Sequence, residues 1–242
     1  MSFNIMKDIL VENWPLFLRG AGITLWISII GTIIGTILGL LVGLVRTAPM
    51  PEKGVKKIIY RVVDRLLAMY IGFFRGTPMM VQAAVMFYGS AELFGLSLNR
   101  TFAAIFIVSI NTGAYMAEIV RGGINSVDKG QFEAAHAMGM NHFTTMKDII
   151  LPQVIRNILP ATGNEFVVNI KDTSMLSVIS VSELFFQTKS ITGSSFRYYE
   201  PFLIASFIYL IMTLTVTYIL KKFEKKLDGS SSYTMVEENI EY

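Results

Sequence analysis

A chain of 242 residues with 52% hydrophobic and only 16% charged composition, and a mean hydropathy of +0.52, is too apolar for a soluble domain and reads as one polytopic membrane domain. With no cysteine it can build neither a disulfide frame nor a thiolate metal site, and its two histidines, His136 and His142, make no metal cluster. The net charge of +3 carries no nucleic-acid signal, because the basic residues gather beside apolar runs as cytoplasmic flanks do.

Residues 1–20 mix Lys7, Asp8, Glu12 and Arg19 with aliphatic side chains and Trp14, a pattern that predicts an amphipathic N-terminal helix at the membrane interface. The segment lacks the basic start and small-residue cleavage site of a signal peptide. Residues 21–45 carry no charge and exceed the roughly 20 residues that span the hydrocarbon core. Gly31, Gly35, Gly39 and Gly43 form a stripe on this first span, either for packing within the chain or for a seam between subunits.

Arg46, Lys53, Lys56, Lys57, Arg61 and Arg65 flank the Pro49 and Pro51 turn and place it on the cytoplasmic side, so the amino terminus is expected outside. The next crossing lies within 58–91, begins near Leu66, and is expected to break at Arg75-Gly76-Thr77-Pro78, where proline removes a backbone donor. Such a break is tolerated only where protein or a cavity satisfies the freed groups. Arg75 then either pairs internally or meets a transport path, and Asp64 just before the crossing is a further path candidate.

Residues 101–117 form the third span, with a polar flank of Asn111, Thr112 and Tyr115 that can bond across helices or line a water-filled path. The span ends at Glu118 and Arg121, three apart and therefore suited to a local ion pair. The stretch QFEAAHAMGMNHFTTMKDIILP, 131–152, is polar enough to leave the membrane. It predicts a short helix, a bend at Gly139 and a second helix, with Ala134, Ala135 and Ala137 letting another surface come close. It is read as an interface to a soluble partner; an amphipathic helix on lipid headgroups is the plainer alternative.

The fourth span, within 149–181, contains Arg156, Glu165, Lys171 and Asp172, which are expected to turn inward because charge facing lipid costs several kcal/mol. Glu165 lies about 20 Å beyond Pro152 along a helix, near mid-membrane beside Gly163 and Asn164. It is either a ligand for an ammonium or cationic group or half of a salt bridge with Arg75 or Lys171; Lys171 and Asp172 can also neutralise each other. Residues 182–200 are expected outside as a polar segment open to a solute-binding protein. The charge-free run 201–220 is the last span, closed on the cytoplasmic side by Lys221, Lys222, Lys225 and Lys226. Residues 227–242 are expected to form a mobile cytoplasmic tail.

Glu133-Ala134-Ala135, three residues, Gly139, nine residues, then Ile149-x-Leu151-Pro152 resembles the signature loop of ABC importer permease subunits. Arg75-Gly76-Thr77-Pro78 with Val81 and Gln82, the run Glu118 to Gly123, Lys171-Asp172-Thr173-Ser174 and Glu183-Leu184 are similar to strings of the polar amino-acid uptake branch, the histidine, glutamine and arginine permease-like proteins. The resemblance implies an all-α, type I importer fold in a bacterial inner or plasma membrane. Five transmembrane helices would occupy 21–226, with a cytoplasmic coupling-helix loop at about 122–149.

The same resemblance implies coupling through Glu133, Ala134, Ala135 and Gly139 to ABC ATPase subunits that bind ATP and Mg. It also implies a second permease chain, identical or homologous, and an extracellular or periplasmic amino-acid-binding protein, all within membrane lipid and without nucleic acid. This chain has no Walker-type phosphate loop, nucleophile elbow or other catalytic motif, so it is expected to be a transport subunit without its own ATPase site. The implied cargo is a polar amino acid, leaning to arginine, lysine or histidine, with glutamine or cystine in range. Glu165, Asn164, Thr77, Gln82, Asn111 and Asp64 are the path candidates, and Arg75, Gly76, Pro78, Lys171 and Asp172 the kink and ion-pair residues. The competing reading is a secondary carrier driven by an ion gradient, with Glu165, Lys171 and Asp172 as a relay; such a carrier has no use for the loop.

Overall fold

A computed structural model describes residues 3–227, so the expected tail at 228–242 lies outside the described residues. The described chain is helical throughout: α1 Phe3–Thr47, α2 Val55–Gly76, α3 Met79–Phe94, α4 Arg100–Asn125, α5 Lys129–Ala137, α6 His142–Thr145, α7 Leu151–Asp172, α8 Leu184–Ser195 and α9 Tyr199–Leu227. Three stretches, Asn4–Thr47, Arg100–Asn125 and Tyr199–Lys226, are long and apolar enough to cross a membrane as single helices. The other two crossings are composite. One is α2 followed by α3; the other is α7 followed by a 3₁₀ turn, Thr173–Ile179.

The interfacial segment and the first span prove to be one rod, since α1 runs unbroken through Pro15. At about 1.5 Å per residue its 45 residues measure roughly 68 Å, twice a hydrocarbon core. The glycine stripe is intramolecular: Gly31, Gly35, Gly39 and Gly43 lie against Val108, Thr112, Met116 and Val120 of α4. A methyl group at Gly35 would stand 2.6 Å from the Thr112 Cβ, closer than atoms can pack. The residue numbers rise together along both helices, so α1 and α4 run parallel, as the first and third of alternating crossings must.

Three apolar cores join the elements. Ile27, Val108, Leu176 and Ile179 hold α1, α4 and the 3₁₀ turn; Phe17, Ile170, Leu184 and Ile204 hold α1, α7, α8 and α9; Met116, Val120, Ile150 and Val154 tie α4 to the start of α7. The segment 182–200 is not the open polar loop expected. Most of it is α8, packed on α1: Leu184 and Thr188 are buried, and Gly20 is needed because its Cβ would fall 2.8 Å from the Leu184 Cα. Glu183 caps α8, accepting from the amides of Phe185 at 2.8 Å and Phe186 at 2.7 Å and from the Tyr209 hydroxyl at 3.0 Å. Buried polar groups persist only with such partners.

Candidate functional site

The loop between the third and fourth crossings begins later than about 122, because α4 continues to Asn125. Asp128 caps α5 by accepting from the Gly130 amide, and Asn141 caps α6 by accepting from the Thr144 amide at 2.9 Å. Between them Gly139 takes φ +78°, a left-handed conformation that suits glycine. The Met140 amide bonds back to the Ala135 carbonyl at 3.0 Å and the Gly139 amide to His136 at 2.9 Å, the paired bonds of a glycine-terminated helix. The expected helix, bend and helix are therefore all present.

Ala135 is fully buried, whereas Glu133, Ala134 and Gly139 are exposed and flanked by exposed Met138 and Phe143. The loop thus has a packed inner face and an open outer face. Met146–Ile150 forms a π turn that runs into α7 without a break, and Ile150 is buried beside Val154. α6 and the π turn thus lead without a break into the helix that bears Glu165.

The second crossing breaks where expected. Met79 starts α3 one residue after Pro78, and Thr77 takes an extended conformation. Gln82 Nε2 donates to the carbonyls of Phe74 at 2.9 Å and Thr77 at 2.8 Å, and Thr77 Oγ1 donates to Phe73 at 2.8 Å. Asn111 Nδ2 donates to Gln82 Oε1 at 2.9 Å, fixing that amide in place. Gln82 and Asn111 are buried, at 2% and 9% exposure. The polar atoms of Gln82 and Asn111 are thus occupied in closing the break, and Thr77 serves the same break from a half-buried position.

Asp64 is likewise spoken for. Arg46 donates to Asp64 at 3.1 Å and to Glu118 at 3.1 Å, and Arg121 reaches Glu118 at 2.6 Å. The expected Glu118–Arg121 pair is thus part of a four-residue cluster that joins α1, α2 and α4 just past the third span.

Glu165 remains. Among the described residues no ion pair within 4.0 Å joins Glu165 to Arg75 or Lys171, nor Lys171 to Asp172, so the anticipated salt bridges do not form. Arg75 instead lies over the exposed Tyr115 ring, 5.4 Å from its centroid. Thr162 meets Met116, and Asn169 bonds Thr112 at 2.9 Å, so α7 runs antiparallel to α4 there. Glu165 lies between Thr162 and Asn169 on the same helical face, which sets it level with Tyr115.

Arg156 and Lys171 are exposed on the chain's surface rather than turned inward, because they lie near the two ends of α7. Asn164 is exposed beside half-buried Glu165. The apolar cleft of about 350 Å³ between α1, α7 and α9 is lined by Thr32, Gly163, Phe166 and Leu220 among others, and contains none of the path candidates. A polar triad escaped the sequence reading: Asn169 Nδ2 donates to Thr32 Oγ1 at 2.8 Å and to Thr112 Oγ1 at 2.9 Å, tying α7 to both α1 and α4. The available signal was Thr112, on the polar flank of the third span that can bond across helices.

Comparison with known proteins places this arrangement. Residues 57–229 match the family described as binding-protein-dependent transport system inner membrane component. The arginine transport system permease protein ArtQ of Bacillus subtilis is 35% identical over 220 residues, which cover 91% of this chain and 96% of that one. The glutamine transport system permease protein GlnP of Escherichia coli is 36% identical over 214 residues, covering 88% and 93%. A crystal structure of an amino acid ABC transporter with histidines superposes with TM-score 0.81 at 36% identity, over 93% of this chain and 99% of that one. The MetNI methionine ABC transporter, at 18% identity and TM-score 0.74, shares the fold. The chain therefore belongs to the family of inner membrane components of binding-protein-dependent transport systems, as a membrane-spanning permease subunit with the type I ABC importer fold.

Proposed function

We propose that this chain forms the translocation path of an ATP-driven importer for polar amino acids and is moved by a separate ATPase docked on the loop at 126–150. The observation that carries this is the two-faced loop: Glu133 and Ala134 lie open on α5, whose inner face is sealed by Ala135, and after the Gly139 bend α6 runs through the π turn into α7 without a break. ATP and Mg, bound by the partner ATPase, supply the free energy. In this chain Glu133, Ala134, Ala135 and Gly139 receive the push, and α7 transmits it to the level of Glu165. The other partners under this reading are a second permease chain and an external binding protein, with the amino terminus outside and the carboxyl terminus cytoplasmic in a bacterial membrane.

For the cargo, the half-buried Glu165 carboxylate suits the ammonium group or cationic side chain of an amino acid, and Arg75 over Tyr115 suits its carboxylate. Both relatives compared above are described for arginine or glutamine, which supports a polar amino acid with a lean to cationic ones.

The test is uptake by proteoliposomes holding the assembled complex, with labelled amino acids presented by the binding protein, with and without ATP. ATP-dependent accumulation is expected; accumulation driven by a proton or sodium gradient alone would overturn the reading. Glu133→Lys should leave the spans folded and lower uptake per ATP hydrolysed by about tenfold or more, the scale of a coupling energy between sites. Unchanged coupling would remove the loop from the mechanism. Glu165→Gln should weaken arginine transport by about 2 kcal/mol, roughly thirtyfold in affinity, through loss of a charge-assisted hydrogen bond, and glutamine transport less. Equal loss for both would make Glu165 structural.

A further inference from the structure

Two cavities at the end of the bundle opposite the coupling loop meet each other, and their chemistries differ. The first, about 530 Å³, lies between α1, the start of α4 and the residues after the 3₁₀ turn, with Arg19 and Arg100 on its walls and Thr101, Ser180 and Ser182 adding hydroxyls. Among the described residues neither arginine pairs with a carboxylate within 4.0 Å. The second, about 290 Å³, is a groove between α3 and α4 lined almost wholly by apolar side chains, among them Val85, Leu93, Phe94, Ala103 and Ile107. Phe87 and Leu98 line both, so the basic pocket and the apolar groove lie side by side.

The depth of this composite site follows from the helices. The parallel match of Gly31 with Val108 sets Arg100 level with Ile23 and one turn from Arg19, just where the charge-free run of α1 begins. Both arginines therefore sit at the boundary between headgroups and hydrocarbon. From Phe94 down to Val85 the groove follows α3 for about 14 Å at 1.5 Å per residue, close to the half-thickness of a roughly 30 Å core. A free anion would use the pocket and leave the groove empty. An acidic protein surface would do the same. Only a molecule with a negative head and a chain about one leaflet long uses both.

We propose that this site binds an anionic diacyl phospholipid of the leaflet opposite the loop, with its phosphate between Arg19 and Arg100 and one acyl chain along the α3–α4 groove. Basic pockets between transmembrane helices recognise anionic headgroups by charge, and two unpaired guanidinium groups disfavour the ammonium of a zwitterionic lipid. Because α3 carries the break that starts at Pro78, a lipid seated along it would also brace the segment beyond the hinge.

The assembled, delipidated complex should be titrated with phosphatidylglycerol, phosphatidylcholine and inorganic phosphate, with bound lipid counted by native mass spectrometry. Phosphatidylglycerol is expected to bind about tenfold more tightly than phosphatidylcholine, and inorganic phosphate at millimolar concentration should not displace it. Arg19→Gln with Arg100→Gln should erase the preference. Gly89→Phe keeps both arginines and adds a ring to the groove lining from a position where nothing lies within 4 Å of a Cβ; it should lower phosphatidylglycerol binding as well. Equal affinity for the two lipids, full displacement by phosphate, or unaltered binding in both variants would each overturn the proposal. So would efficient disulfide cross-linking of two permease chains through Leu93→Cys, a clean probe in a cysteine-free chain, because it would give the groove to a second copy.

Discussion

Helix α4 presents two faces built on opposite rules. Toward α1 it packs through that helix's four glycines, with the Arg46–Glu118 ion pair as the polar contact between the two helices, and the backbones approach closely. Toward α2 and α3 it meets a broken helix, where hydrogen bonds from Asn111 to Gln82 and from Tyr70 to the Ile110 carbonyl stand beside apolar contacts of Met79 and Ala83 with Ala103 and Ile107. The first seam has a single arrangement, since any shift drives a glycine ridge into side chains. The second can exchange one set of hydrogen bonds for another, which is what a crossing that must bend requires. The rigid seam gives the hinge a fixed post to work against.

The largest expected effect tests the rigid seam. Gly39→Val places a Cβ against the Met116 Cβ and 2.8 Å from the Ala117 amide nitrogen, which is backbone and cannot rotate away. Destabilisation of about 3 kcal/mol or more is expected, above the ordinary range for overpacking because the obstacle is backbone. Thermal unfolding of the purified complex should show this as loss of the folded species. Gly22→Val is the control, with nothing within 4 Å of its Cβ, and should unfold like the parent. Equal effects at both sites would dissolve the distinction between seam and surface.

A middle-sized effect tests the hinge. Gln82→Leu leaves the Phe74 and Thr77 carbonyls without their side-chain donor in a buried place, a cost of about 1–3 kcal/mol. Asn111→Leu removes the group that holds Gln82, so the two changes should be non-additive, with a coupling of about 1 kcal/mol in a double-mutant cycle. Additivity would mean that the two side chains serve the break independently. Transport should fall more than stability in these variants, in contrast to Gly39→Val.

Both faces of α4 were open to sequence reasoning in different degrees, for physical reasons. Glycines at four-residue spacing and an Arg-Gly-Thr-Pro interruption are local patterns, and local patterns fix a helix face and a helix end wherever the partner lies. What satisfied the break was not local: Asn111 is 29 residues from Gln82, and only the antiparallel return of the chain brings them together. The Asn169 triad spans 137 residues to Thr32 and left no trace in spacing. Charge was over-read for a related reason. Arg156 and Lys171 are expected inward from the cost of charge in a crossing within 149–181, whereas α7 starts and stops within that range and leaves both near its ends. The loop was the most legible part, since its cap residues, its glycine and its alanines each act within one or two turns.

The smallest expected effect concerns the place where the two seams converge. Arg46 sits at the end of α1 and bonds both Asp64 of the hinged crossing and Glu118 of α4, so the ion cluster joins all three helices. The Glu118 side chain is 22% exposed and the Arg121 side chain 43%, so solvent screening limits the contribution of the pair to about 1 kcal/mol or less. Glu118→Gln should therefore lower the melting temperature of the purified complex only slightly, by less than Gln82→Leu does. If parent and variant melt together, the cluster adds nothing to stability. The hinge is then tied to the post through Asn111 and Gln82, the Tyr70 hydroxyl bond to the Ile110 carbonyl at 2.6 Å and the apolar contacts around them.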